Sequence, residues 1–445
     1  MRSGLRLLLA GAFAAFAAGA APAQQRAAPP MPAGPLSSTA ERIYATARPQ
    51  LLQVRTLVAA AGRQSSIGSG FLVGDDGLAV TNYHVVSQYA LDPATYRLEY
   101  TAADGASGEL TLLAMDIAND LAVVRLDGAA RPYFRFGARA AQGELPQGER
   151  LFSMGNPLDL GFTIVEGTYN ARVQRSYTER ILFSGAINPG MSGGPAVTAD
   201  GHVAGINVAK RTDGELVSFL VPSRFAEALV TRARAGGVPA PKELRAEIAR
   251  QLKDWQAALY ADFNGRGFRA ARLGPYEVPE SAAPWFTCWA RTNAEEATRQ
   301  RAQANSTSCS SDTRVFVASG LNVGLILLSH SYVKSVDLNA FQFAAYLTQR
   351  SQPTSGGWSS RWYTPQQCHE DFVAPSDPSA QPALQVVWCA RAYRKFDDVY
   401  DVGITVVTQD RSREALVSRL NLQGVSFENA LATTRRFLDA IRWAK

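Results

Sequence analysis

The sequence predicts a mainly-β protein, with a β-sandwich or pair of β-barrels in its front half and a duplicated α+β unit behind it. Three observations predict this. Between residue 51 and about 221, short apolar strands alternate with Gly, Asp and Asn turns, the rhythm of sandwiches and barrels. Beyond about residue 262, Cys288 and Cys309 repeat the spacing of Cys368 and Cys389, and the strand pattern of 321–328 is echoed by 400–407. A length of 445 residues is enough for two or three domains with sizeable cores.

Taken in order, the chain opens like an export leader. Arg2 and Arg6 precede an alanine-rich apolar run over 7–20, and Ala21-Pro22-Ala23 offers small residues for cleavage. Residues 1–23 therefore read as a signal peptide, with Gln24 starting the mature chain. The run is short against the roughly 20 residues a span needs, and no Cys follows it for lipidation. The expectation is a periplasmic or secreted protein without a membrane span. Residues 24–37 carry Pro29, Pro30, Pro32 and Pro35 and read as a flexible linker, after which Ser38 can cap a short helix.

The first folded domain is expected over 38–237. Pro222-Ser223-Arg224 opens its last helix, and Gly236-Gly237-Val238-Pro239-Ala240-Pro241 marks its end. A linker and helix follow over 238–261, where Leu244, Ile248, Leu252, Trp255 and Leu259 form a helical packing stripe. The C-terminal domain, 262–445, divides into repeats of about 276–350 and 360–445, with helical patterns at 338–349 and 427–443. All seven tryptophans lie beyond residue 254, spread as core and hairpin residues would be. An even cysteine count in an exported chain points to disulfides, and the repeat favours Cys288–Cys309 and Cys368–Cys389 among the three pairings. Zinc is disfavoured, because no two cysteines are close and only His369 adjoins one.

Basic residues number 45 against 39 acidic, a net charge of +6, and the two signs are interleaved. No basic helix or aromatic-basic alternation suggests nucleic acid, so the charge reads as solvated surface.

Chemistry concentrates in Ala186-Ile187-Asn188-Pro189-Gly190-Met191-Ser192-Gly193-Gly194-Pro195. A serine nucleophile needs a base for its proton and backbone N–H groups for the oxyanion. Gly190 lets the chain turn so that its own N–H and that of Ser192 share a cavity. By itself the stretch is explained equally well as a surface turn. Two upstream segments shift the balance. Ser66-Ile67-Gly68-Ser69-Gly70-Phe71 runs through an Asp-Gly turn into Leu78-Ala79-Val80-Thr81-Asn82-Tyr83-His84, one of four histidines, just past a strand. Asp116 and Asp120 then precede the apolar strand Leu121-Ala122-Val123-Val124. Histidine, aspartate and serine in that order form an acyl-transfer constellation.

These segments, with Gly155-Asn156-Pro157 and Gly205-Ile206-Asn207-Val208, resemble the trypsin-like serine peptidases of the HtrA/Deg branch over about residues 40–235. The resemblance implies a chymotrypsin-like double β-barrel in which His84 is the base, Asp120 its orienting acid and Ser192 the nucleophile. Asp116 is the rival acid, but the branch places its acid directly before Leu-Ala-Val. The resemblance further implies an oxyanion hole at Gly190, Met191 and Ser192. A substrate pocket is implied at Ala186, Ile187, Ile206, Asn207 and Val208. No metal or cofactor is implied. Met191 departs from the branch, which usually has Asn there, and cannot pair with a freshly cut N-terminus as trypsin's Asp does. Trypsin's acidic pocket floor is replaced by Ala186, which points to cleavage after small or aliphatic residues.

No PDZ pattern is found beyond the protease. The expected function is hydrolysis of protein or peptide substrates by a secreted serine endopeptidase. The alternative is a catalytically silent binding or scaffold protein whose C-terminal domain recruits a protein partner.

Overall fold

A computed structural model describes residues 37–128, 131–210, 216–352, 361–375 and 377–444. The expected leader and the linker up to residue 36 lie outside them. After helix α1 (Ser38–Ala47) come β1 (Leu51–Val58), β2 (Arg63–Leu72), β3 (Leu78–Thr81), helix α2 (Tyr83–Leu91), β4 (Tyr96–Ala102), β5 (Ser107–Asp116) and β6 (Leu121–Leu126). Their strands close into an antiparallel barrel in the order β1-β2-β3-β6-β5-β4. Period-two alternation gives β6 two faces. Ala122, Val124 and Leu126 enter the first barrel's cluster with Leu52, Val54 and Leu98, while Leu121 and Val123 face a second cluster.

Short helix α3 (Ala138–Gln142) leads to β7 (Arg150–Gly155), β8 (Thr163–Arg172), β9 (Ile181–Phe183), β10 (Pro195–Val197), β11 (Val203–Lys210) and β12 (Ser218–Pro222). These close into a second barrel, β10-β11-β12-β9-β8-β7. The cluster that takes Leu121 and Val123 also holds Phe71, Phe152, Met154 and Ile206, so side chains of both barrels share one dry interface. That interface fixes the loops at its rim, where the candidate site lies.

Helix α4 (Ser223–Ala235) follows, then α5 (Pro241–Arg266). Pro241 occupies the first turn of α5 and Glu243 reaches back to the Ala240 N–H at 2.8 Å, which starts the helix sharply. Its apolar stripe serves two cores. Leu244, Ile248 and Leu252 are buried with the first barrel, whereas Leu259, Tyr260 and Phe263 are buried against the C-terminal sheet. Full burial of each aliphatic side chain contributes about 1.5–3 kcal/mol, so α5 ties barrel and sheet together firmly.

The rest comprises β13 (Phe268–Leu273), β14 (Tyr276–Ser281), β15 (Phe286–Thr292), α6 (Ala297–Gln300), β16 (Ala302–Ser311), β17 (Val315–Ala318), β18 (Leu321–Val323), β19 (Ile326–Ser335) and α7 (Ala340–Ser351). Then come β20 (Gln367–Val373), β21 (Leu384–Ala392), β22 (Tyr400–Thr408), β23 (Glu414–Val425), α8 (Phe427–Asp439) and β24 (Arg442–Trp443). The two halves do not form separate units. They merge into one seven-stranded antiparallel sheet, β15-β16-β19-β23-β22-β21-β20, with β23 at the centre. The helices take opposite faces: Phe343 of α7 packs with Val333, Ala415 and Val417, while Phe437 of α8 packs with Leu328, Leu416 and Leu420. Disulfides Cys288–Cys309 and Cys368–Cys389 join residues directly opposite in the ladder, stapling edge strands β15 and β20 to their neighbours. The β17–β18 hairpin leaves this sheet, and Val315, Val317, Leu321 and Val323 are buried in the first barrel's cluster.

Candidate active site

His84 lies just past β3, as expected, in the first turn of α2, a helix that the sequence reading did not include. Asp120 ends the turn between β5 and β6 with a left-handed φ of 60°, a conformation short polar residues tolerate because they bond locally. From there it holds His84 at two points. Its Oδ2 meets the ring Nδ1 at 2.7 Å, and its Oδ1 accepts the His84 backbone N–H at 2.8 Å. Its carbonyl accepts the Asn82 amide at 2.7 Å and the Tyr83 N–H at 3.2 Å. Asp116 points elsewhere: its carboxylate accepts the backbone and side-chain N–H groups of Asn119 at 3.0 and 2.8 Å and shapes the turn.

An ionised carboxylate only accepts, so Nδ1 carries the proton and Nε2 the lone pair. Burial alone would lower the His84 pKa, but the charge and hydrogen bond of Asp120 outweigh it and hold the pKa above its usual 6.5.

The Ser192 loop is pinned from three sides. Ser69 of β2 donates its N–H to the Ser192 carbonyl at 2.7 Å and its hydroxyl to the Gly190 carbonyl at 2.7 Å. The Pro189 carbonyl accepts the Leu158 N–H at 2.9 Å, and the Met191 carbonyl accepts Gly194 N–H at 3.0 Å and Asn207 Nδ2 at 3.1 Å. In a trans peptide, C=O and the following N–H point opposite ways. Fixing the carbonyls of Pro189 and Met191 therefore fixes the N–H groups of Gly190 and Ser192. Among the described residues no acceptor takes either of them. Met191 differs, since its N–H is spent on the Asn188 carbonyl at 3.0 Å and is not free for a third oxyanion bond.

Two glycines here are obligatory. Gly190 has φ 94°, and a Cβ there would lie 2.4 Å from the Asn156 carbonyl. Gly193 has φ 86°, and a Cβ there would lie 2.2 Å from the Ser69 carbonyl. Gly68 admits Val85, next to His84, and the Ser192 carbonyl to the same small space, since its missing Cβ would meet them at 2.4 and 3.0 Å. Among the described residues, no hydrogen bond joins the Ser192 hydroxyl to the His84 ring.

Of the expected pocket residues, Ala186 and Val208 are half-buried and accessible. Ile187 and Ile206 lie in core clusters. Asn207 is fully buried and its side chain faces inward rather than into a pocket. Its Nδ2 donates to the Met154 and Met191 carbonyls at 2.9 and 3.1 Å, and its Oδ1 accepts the Ser153 hydroxyl at 2.8 Å. Two contributors were missed by sequence reasoning. Ser69 left a signal in the Gly-Ser-Gly run of β2. Phe316, from the C-terminal hairpin, lies edge-on to the His84 ring with centroids 6.0 Å apart and left no signal at all.

Among the described residues, no cluster of three or more His, Cys, Asp or Glu side chains could hold a metal ion. Nor is any described helix long and apolar enough to cross a membrane.

Residues 68–206 match the trypsin-like peptidase domain family. A probable periplasmic serine endoprotease, DegP-like, from Chlamydia pneumoniae is 33% identical over 171 residues, covering 37% of this chain and 33% of its own. Putative serine protease HhoB of Synechocystis is 34% identical over 174 residues, covering 37% and 39%. A DegP-like protein of Marinomonas is 32% identical over 235 residues, covering 50% and 46%. The chain thus spans less than half the length of these relatives, and the family match over residues 68–206 contains the His84, Asp120 and Ser192 loops. The chain carries a trypsin-like serine peptidase domain closely related to the HtrA/Deg family of periplasmic proteases.

Proposed function

We propose that the protein is a periplasmic or exported serine endopeptidase acting on protein or peptide substrates. The observation that carries the reading is the double bond-pair from Asp120 to the ring and backbone of His84. Nε2 of His84 removes the Ser192 proton as the hydroxyl attacks the scissile carbonyl, and Asp120 stabilises the imidazolium that forms. His84 then returns the proton to the leaving amine, and a water repeats the sequence to release the acyl group. The N–H groups of Gly190 and Ser192 hold the oxyanion, and loss of one such donor costs about 10²–10³ in rate. Met191 contributes through its carbonyl anchors and not as a donor. The chemistry calls for no metal or cofactor. Ala186 and Val208 bound the primary pocket, with Ile187 behind them, which suits a small or aliphatic residue.

The silent-scaffold reading has one observation on its side, the missing Ser192–His84 hydrogen bond. Such bonds are often long without substrate and tighten in the complex. A fluorophosphonate probe decides between the two. Labelling of the wild type that disappears in Ser192→Ala supports the peptidase. A folded wild type that takes no label supports the scaffold.

A further inference from the structure

The C-terminal region meets the first barrel beside His84. Tyr83, buried next to the histidine, donates its hydroxyl to the Val317 carbonyl of the β17–β18 hairpin at 2.9 Å. The Phe316 ring lies edge-on to both Tyr83 and His84, at 6.3 and 6.0 Å. The hairpin is not a lid, because its alternate residues Val315, Val317, Leu321 and Val323 are buried in the barrel's own cluster.

Between this hairpin and the barrels lies a cavity of about 230 Å³ that reaches Asp120. Its apolar walls come from Val173, Val208 and Phe219 of the second barrel, Ile117 of the first, and Val315 and Phe316 of the hairpin. An apolar cavity of about 150 Å³ already accepts a benzene-sized group, so one aliphatic side chain fits. Its polar lining comes from Ser176, Thr178, Asp120, Arg180, Asp312 and Arg314. The Asp120 carboxylate is bound to His84, and Arg180 donates to the Ala118 carbonyl at 3.5 Å in the field of Asp120, Asp116 and Asp312. Asp312 and Arg314 are exposed and add one charge of each sign to the lining. With two acidic and two basic side chains the lining offers no net charge to attract a charged side chain, whose burial would be costly.

We propose that Phe316 is a specificity-determining residue: with Val173, Val208 and Phe219 it forms a subsite for an aliphatic side chain of the peptide substrate, near the reacting bond. The C-terminal region is thereby a fixed wall of the substrate cleft. This rests on the peptidase reading of His84, Asp120 and Ser192.

The test separates binding from turnover. Fluorescent alanine-based hexapeptides, with leucine or glycine placed at each position in turn, are titrated onto full-length Ser192→Ala protein by anisotropy. Leucine should be favoured over glycine about 10-fold or more at one position beyond the primary pocket's own, the scale of a filled apolar subsite. Adding Phe316→Ala should cut that preference to about 2-fold, and Phe316→Trp, which fills the cavity while keeping the aromatic contact, should reverse it toward glycine. An unchanged leucine-to-glycine ratio in both double variants overturns the proposal, as does failure of the folded Ser192→Ala protein to bind any hexapeptide. Fluorophosphonate labelling of the wild type reports separately on the peptidase reading, so a silent triad with intact leucine preference sinks only that reading.

Discussion

Asp120 holds both the Nδ1 and the backbone N–H of His84, at 2.7 and 2.8 Å, so one carboxylate sets where the histidine sits and which nitrogen is basic. Asn at position 120 can present its oxygen to only one of these N–H groups and offers a donor to the other. Asp120→Asn is expected to lower kcat/KM by about 10⁴, the cost of the wrong tautomer in the Ser-His-Asp template. Asp116→Asn should leave kcat within a few-fold and instead cost about 1 kcal/mol in thermal unfolding, since it weakens only the Asn119 turn. A reversed ranking would assign the acid to Asp116.

The pH profile follows from the raised pKa of His84. The base must be neutral, so kcat/KM should rise with pH through an acid limb lying above 6.5, the usual histidine value. The linkage has the opposite sense for stability. A folded pKa above the unfolded one means the His84–Asp120 contribution is complete below about 6.5 and fades as pH rises through the folded value. Residual activity of Asp120→Asn should show its acid limb at lower pH than the wild type. Matching limbs in the two proteins would remove Asp120 as the cause.

Asn207 braces the Ser192 loop from beneath through the Met154 and Met191 carbonyls. Asn207→Ala takes one donor from each of the buried Met154 and Met191 carbonyls and the acceptor from the Ser153 hydroxyl, and should cost roughly 2–3 kcal/mol of stability. It also leaves the Met191 carbonyl, which orients the Ser192 N–H, held by the Gly194 N–H alone, so fluorophosphonate labelling should slow at temperatures where the protein remains folded. Asn207→Asp should be no better, because a carboxylate cannot donate. Normal labelling rates in folded Asn207→Ala would confine the residue to a packing role.

Reduction should loosen the rims of the C-terminal sheet first. Each disulfide closes a loop of 21 residues and contributes about 3 kcal/mol by chain-entropy reasoning. Hydrogen exchange after reduction should accelerate in β15 and β20, whose outer edges have no strand partner among the described residues, while both barrels stay protected. Non-reducing peptide maps should contain Cys288–Cys309 and Cys368–Cys389. Early loss of protection in the barrels would show that the staples support the whole molecule.

The barrels and the loops of His84, Asp120 and Ser192 were legible because local signals coincide there: alternating strands, glycine-rich turns, and a carboxylate beside its strand. The cysteine echo foretold the staples for a similar reason, since both partners sit in copies of one pattern. What escaped reading depends on contacts across long separations. Nothing in Val315-Phe316-Val317 distinguishes a strand beside its own sheet from one lodged against Tyr83. The fusion of the two echoes into one sheet was equally silent, because β23, the strand that joins them, has no counterpart in the first copy. Asn207 is placed in a pocket wall by the family resemblance, which lines the pocket with its strand, although the polarity of its side chain also suits a buried brace.

The central position of β23 also orders the way the molecule can be made. The strands of each barrel are contiguous in sequence, so each barrel can close once its own stretch has emerged. The leaf β15-β16-β19 is complete by Ser335 and the leaf β22-β21-β20 by Thr408, yet β23, which pairs with both β19 and β22, ends only at Val425. The keystone is laid last, so synthesis from the N-terminus passes through an interval in which two stapled half-sheets exist with no strand to join them.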